Sequence, residues 1–99
     1  MNPRILRIHH EAQADVEVAY DWYFERSPES ADKFLAALQE HLDQIIERPG
    51  SFATYSRRTR RCVMARFPYS ILFLEKSGAI LVVAIAHAKR ETDYWKDRI

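Results

Sequence analysis

From residue 28 to 47 the apolar positions Ala31, Phe34, Leu35, Leu38, Leu42, Ile45 and Ile46 recur at three- and four-residue steps. That spacing is one face of an amphipathic helix, about 30 Å long at 1.5 Å per residue. Ser27-Pro28 precedes it and Arg48-Pro49-Gly50 follows, a start and a stop signal. A second stripe, Ala12, Val16, Ala19, Tyr20 and Tyr23, predicts a helix over 11–26, which Trp22 and Phe24 widen towards further packing. With only Ser27-Pro28 between them, the two helices are expected to form an antiparallel hairpin.

The pattern changes period on either side. Arg4 to Ile8 is rich in β-formers and predicts a first strand. Arg61 to Phe67 alternates, with Cys62, Met64 and Arg66 on one face and Val63, Ala65 and Phe67 on the other. Pro68 breaks that run, Tyr69 to Glu75 begins the next strand, and Ser77-Gly78 signals a hairpin turn. Ala79 to Ala86 contains no polar residue, as expected of a central strand covered on both faces. Thr92 to Arg98 predicts one or two helical turns, with Trp95 docking the tail. The expected class is α+β, in the order βααβββ with a short C-terminal element. The sheet should be mainly antiparallel and covered on one face by the N-terminal helix hairpin.

Ninety-nine residues with two glycines and no repeat are read as a single domain, 1–99. The N-terminal stretch lacks the apolar region of a signal peptide, and no run is long enough for a membrane span. A solitary Cys62 suits a reducing compartment, so a cytoplasmic location is expected. Cys62 itself reads as a small core residue, not a nucleophile. His9-His10, His41 and His87 lack zinc-ligand spacing, so no metal and no cofactor is expected.

Net charge is only +1, yet it is divided along the chain. Residues 11–47 carry ten acids against Arg26 and Lys33, whereas residues 48–99 carry eleven bases and four acids. The second half concentrates Arg57, Arg58, Arg60, Arg61 and Arg66 within ten residues and without an intervening acid. Guanidinium groups bind carboxylate or phosphate bidentately, so the cluster calls for an anionic partner: RNA, an acidic protein segment, or the chain's own acidic helices. His87, Arg90, Tyr94 and Arg98 follow the central strand and complete the candidate binding set. A histidine at a strand end can move protons near neutral pH, and tyrosine or arginine can stack a base or steady developing charge.

Several local patterns, in this order, resemble the RelE/ParE superfamily of bacterial toxins. They are Ala12 with Asp15 and Trp22-Tyr23, the helix-ending Pro49, and Arg61 with Phe67-Pro68-Tyr69. The last is Ala84, His87 and Arg90 followed by Tyr94-Trp95 and Arg98. His9-His10 departs from the Ser or Thr often found before the first helix, and Glu91 and Asp93 dilute the basic tail. The resemblance implies the toxin of a type II toxin–antitoxin pair, neutralised by a cognate antitoxin, and closer to the ParE-like, plasmid-stabilisation branch. That branch is associated with DNA gyrase. The RelE branch instead cuts mRNA on the ribosome, in which case Arg61 or Arg66 would stabilise the transition state and His87 or Tyr94 would transfer protons. A binding module that keeps the fold without activity is a third expectation.

Overall fold

The computed structural model describes residues 4–99. Met1 to Pro3, which open the stretch read for a signal peptide, lie outside them. The order is β1 (Ile5–Ile8), α1 (His10–Arg26), α2 (Pro28–Glu47), β2 (Arg60–Val63), β3 (Tyr69–Lys76) and β4 (Ala79–His87). Short 3-10 turns follow α2 at Pro49–Ser51 and close the chain at Lys96–Arg98. The four strands form an open mixed sheet in the order β1-β4-β3-β2. Only the β1–β4 pair is parallel. Strand β4 thus has a neighbour on both sides, which accounts for its unbroken apolar run.

One residue joins the two helices. The Ser27 N–H donates to the Tyr23 carbonyl and ends α1, while its hydroxyl accepts from the Ser30 N–H and starts α2. Pro28 occupies the first turn, where no N–H is needed. At the other end of α1 the cap that Ser or Thr would supply comes from His9, whose Nδ1 accepts the Glu11 N–H at 3.1 Å. Among the described residues, no helix is long and apolar enough to cross a membrane.

The hairpin lies on one face of the sheet. Ala12, Val16 and Ala19 of α1 and Phe34, Leu38, Leu42 and Ile45 of α2 meet Ile71, Phe73, Ile80, Val82 and Ile85. Phe34 is fully buried and its ring touches Tyr23, Phe67 and Tyr69 at 5.4–5.5 Å. Trp22 and Phe24 do not extend this packing; each is about half exposed, at 50% and 49%. At 100° per residue they fall beside the Ala12–Val16–Ala19 stripe, on the flanks of α1. Leu35 likewise points outward.

Strand β2 is shorter than its alternation suggested. Cys62 and Met64 are buried and Val63 is exposed, as expected, but pairing stops at Val63. Arg66 takes φ 117°, a conformation incompatible with a strand, and the chain loops back through Pro68. The β3–β4 hairpin turns on Ser77 and Gly78, both left-handed at φ 53° and 79°. That is the geometry matching strand twist.

The β3–β4 register skips a residue. Leu72 opposes Ala84 and Phe73 opposes Val82, so Val83 is the extra residue of a bulge. The bulge reverses the alternation of β4. Ile80 and Val82 before it and Ile85 after it all face the helices. His87 consequently lands beside Tyr69, ring edge to ring face at 5.0 Å. The second sheet face is also covered: Trp95, 1% exposed, packs there with Leu72, Val83 and Ala84.

Candidate functional site

The site grows from a length mismatch between neighbouring strands. β1 ends at Ile8, opposite Val82, while β4 continues to His87. The His9 N–H still reaches the Val82 carbonyl, but beyond that point β1 offers no residue to meet the Ile85 N–H. Asp15 on α1 supplies the acceptor, its Oδ2 lying 3.1 Å from that N–H. The same oxygen accepts from the Tyr94 hydroxyl at 3.1 Å and from Arg98 Nη1 at 2.7 Å. Arg98 Nη1 also reaches the Val83 carbonyl at 3.0 Å, and its Nε lies 3.6 Å from Glu11. One carboxylate thus ties α1, β4 and the C-terminal segment together.

Charge follows from this burial. The Arg98 and Asp15 side chains are only 10% and 12% exposed. Burial works against the charge of Arg98, but the hydrogen bond and the charge of Asp15 outweigh it and hold the guanidinium above its ordinary value. The Tyr94 phenol is pushed up to about 12 by burial first and then by Asp15. Arg98 and Tyr94, read from sequence as binding residues, are therefore turned inward and occupied. Cys62 is buried 3.8 Å from His41 Nδ1, and burial pushes its thiol up to about 11, which keeps it inert.

Two clefts meet at the end of β4. On the helix side, a cleft of about 290 Å³ lies between α1 and the β3–β4 end, lined by Val18, Trp22, Tyr23, Tyr69, His87 and Arg90. Val18 and Trp22 are one helical turn apart and exposed, forming an apolar rim. On the opposite side, a smaller polar cleft of about 120 Å³ holds Tyr55, Arg61, Asp93 and Tyr94, again with His87 and Arg90. Arg61 lies over the Tyr55 ring at 4.8 Å and Arg90 over Tyr94 at 4.0 Å, so both guanidiniums are held by aromatic faces. His87 Nδ1 accepts the Lys89 N–H at 3.0 Å, which leaves Nε2 as the outward atom.

The arginine cluster separates into distinct roles. Arg57 pairs with Asp93 at 3.5 Å and Arg58 is exposed; both are left-handed. Arg60 donates to the Phe52 carbonyl at 2.7 Å and braces the loop before β2. Arg61 joins His87 and Arg90, whereas Arg66 lies in another cleft, beside α2. Among the described residues, His9, His10 and Glu11 bring possible metal-ligating atoms within 4.8 Å of one another. The His9 lone pair caps α1, its ring stacks on His10, and Glu11 faces Arg98. Composition alone did not single out Val18; the signal available was its place one turn before Trp22.

Helix hairpin, mixed sheet and pinned C-terminal segment together make the frame that carries both clefts. A sequence model of the family described as "ParE toxin of type II toxin-antitoxin system, parDE" matches residues 6–92, and the chain belongs to that family. Among solved structures, the fold is similar to "Chromosomal ParDE TA system from P. aeruginosa", with a TM-score of 0.76 and 24% sequence identity. The match covers 85% of this chain and 95% of that one. No curated protein matches the chain by sequence.

Proposed function

We propose that this chain is a ParE-like toxin that acts by binding a protein target such as DNA gyrase, and that a cognate antitoxin segment neutralises it by wrapping the end of β4. The carrying observation is that His87 and Arg90 border both clefts, so an apolar groove and a polar one that presents Arg61 and Arg90 join around a strand end. A segment with one large apolar side chain for the Val18–Trp22 rim and an acidic residue for Arg90 and Arg61 fits that shape and charge. The chemistry needed is recognition, with no cofactor or metal.

The ribosome-dependent nuclease reading draws support from Arg61, His87 and Arg90 sharing a cleft. It is weakened by Tyr94, whose hydroxyl is bound to Asp15 and pushed far above neutral. Co-expression with the adjacent gene product should yield a complex and relieve growth arrest. Gyrase supercoiling should be inhibited in vitro by the free toxin. Cleavage of mRNA on translating ribosomes, lost in His87→Ala, together with unaffected gyrase, would replace this reading with the nuclease.

A further inference from the structure

Histidine stands at the end of two strands of this sheet, and each time its ring makes the same local link. His9 follows β1, and its Nδ1 accepts the N–H two residues on, from Glu11, at 3.1 Å. His87 ends β4, and its Nδ1 accepts the N–H two residues on, from Lys89, at 3.0 Å. Asn and Asp side chains make this two-residue link where a chain turns. At His9 it starts a helix; at His87 it starts the C-terminal segment. Two backbone bonds complete the second turn. The Ala88 N–H donates to the Pro68 carbonyl at 2.8 Å, and the Arg90 N–H donates to the His87 carbonyl at 2.9 Å.

The residue this turn delivers is Arg90, which is exposed and borders both clefts. Its guanidinium lies 4.0 Å from the centroid of the Tyr94 ring, and the Tyr94 hydroxyl is bound to Asp15. Backbone and side chain are thus both placed before a partner arrives. The backbone half of that placement depends on a ring nitrogen that carries no proton. An accepting Nδ1 puts the single proton of the neutral ring on Nε2; a second proton would set one donor against another at Lys89. The charges around the ring offer an imidazolium little in return. Asp15 of α1 is taken by Arg98 and Tyr94, and Asp93 by Arg57. Glu91 is left against Arg90 and against Arg61 of β2, which is seated on Tyr55. The phenols of Tyr23 on α1, Tyr69 on β3 and Tyr94 are all pushed up by burial and stay neutral.

We infer that His87 is the positioning residue for Arg90: as a neutral imidazole it holds the turn that aims this guanidinium at the partner, and in acid it lets the turn go. The inference rests on the antitoxin reading above and deepens it, because it gives the β4 end a dependence on pH. Binding is strongest where the ring is neutral and weakens as it takes up a second proton, between about pH 8 and pH 5 for histidine side chains in general.

Isothermal titration with the antitoxin encoded beside the chain tests this at both ends of that range. At the higher pH, Arg90→Ala should weaken binding about tenfold, the loss of one charge-assisted contact. His87→Ala should weaken it about threefold, half of that contact in free energy, yet add nothing in the Arg90→Ala background. His87→Asn, whose side-chain oxygen can accept the same N–H, should recover most of the threefold loss. At the lower pH the parent should weaken about threefold more than His87→Asn, which has no imidazole to protonate. Additive losses in the double variant, or equal pH responses of parent and His87→Asn, would overturn the inference. So would a parent that tightens in acid relative to His87→Asn, since His87 would then be a cationic contact itself. Hydrogen exchange on the free protein separates this from the antitoxin reading. Protection of the Lys89 amide, measured against its intrinsic exchange rate, should fall in acid and in His87→Ala but persist in His87→Asn. If the antitoxin binds no form while Lys89 behaves in this way, the antitoxin reading falls and the positioning role stands. A Lys89 amide indifferent to His87 sinks the positioning role whatever binds.

Discussion

The two faces of the sheet are covered by different means. On one, seventeen- and twenty-residue helices lay a broad apolar surface over β3 and β4. On the other, a strap from Ala88 to Ile99 does the same with one indole, Trp95, and is fixed by polar contacts to Asp15. The helix face draws stability from many interchangeable contacts, each a small part of the whole. The strap face depends on three side chains of the strap, Tyr94, Trp95 and Arg98. Local stability therefore differs across a sheet only four strands wide.

Asp15→Ala should test that contrast most severely. It strips the partner from a guanidinium only 10% exposed and leaves the Ile85 N–H unsatisfied. Removing one member of such a pair costs about 3–5 kcal/mol. Denaturant unfolding should report that loss, and hydrogen exchange should show it first at Ile85 and along the strap, before α2. Uniform loss of protection across both faces would erase the distinction. Trp95→Ala comes next, at about 3 kcal/mol for a deleted buried aromatic. It should expose Leu72, Val83 and Ala84 and raise binding of a hydrophobic dye without melting the helix hairpin.

Tyr94→Phe is a smaller and pH-dependent case. It deletes one hydrogen bond to Asp15 and should cost about 1 kcal/mol at neutral pH. The phenol is raised in the folded protein, from 10.0 to about 12, so the folded state holds its proton more tightly than the unfolded chain. Its stabilisation is fully present below pH 10.0 and is lost as pH rises through about 12. The parent should lose stability across that window, and Tyr94→Phe should lose less over the same window. Parallel curves for the two proteins would show that the phenol does not hold the strap.

Regular periodicity made much of this architecture legible in advance. The α2 stripe, the Ser77-Gly78 turn and the position of β4 all follow from spacing and local chemistry, because burial acts on each residue in register. What escaped was set by single backbone irregularities and by long-range pairing. An unbroken apolar run hides the Val83 bulge, since either face of β4 tolerates the same residues. The positive φ of Arg66 cannot be seen in an alternating pattern, so β2 seemed to run on and Arg66 to join its neighbours. Arg98 and Asp15 are 83 residues apart, and only the fold shows that one arginine in the basic half is spent inside the protein. The A-x-x-D spacing held that information as a motif without its reason: Asp15 continues the hydrogen bonding of β1 where the strand has ended.

Trp22→Ala should have the smallest effect on stability and still separate function from fold. The indole is half exposed and covered on one side by Arg26, whose guanidinium lies 3.5 Å from the ring centroid. Neither belongs to the core that joins α1 to the sheet. Stability should change by no more than about 0.5 kcal/mol, as for most surface substitutions. Antitoxin affinity should fall about tenfold or more, because an exposed tryptophan on the rim of an apolar groove has the character of a binding hot spot. Paired titration and melting measurements decide the matter. A variant that melts early but binds normally would make Trp22 a structural residue after all, and would move the docking surface off the helix face towards the strap.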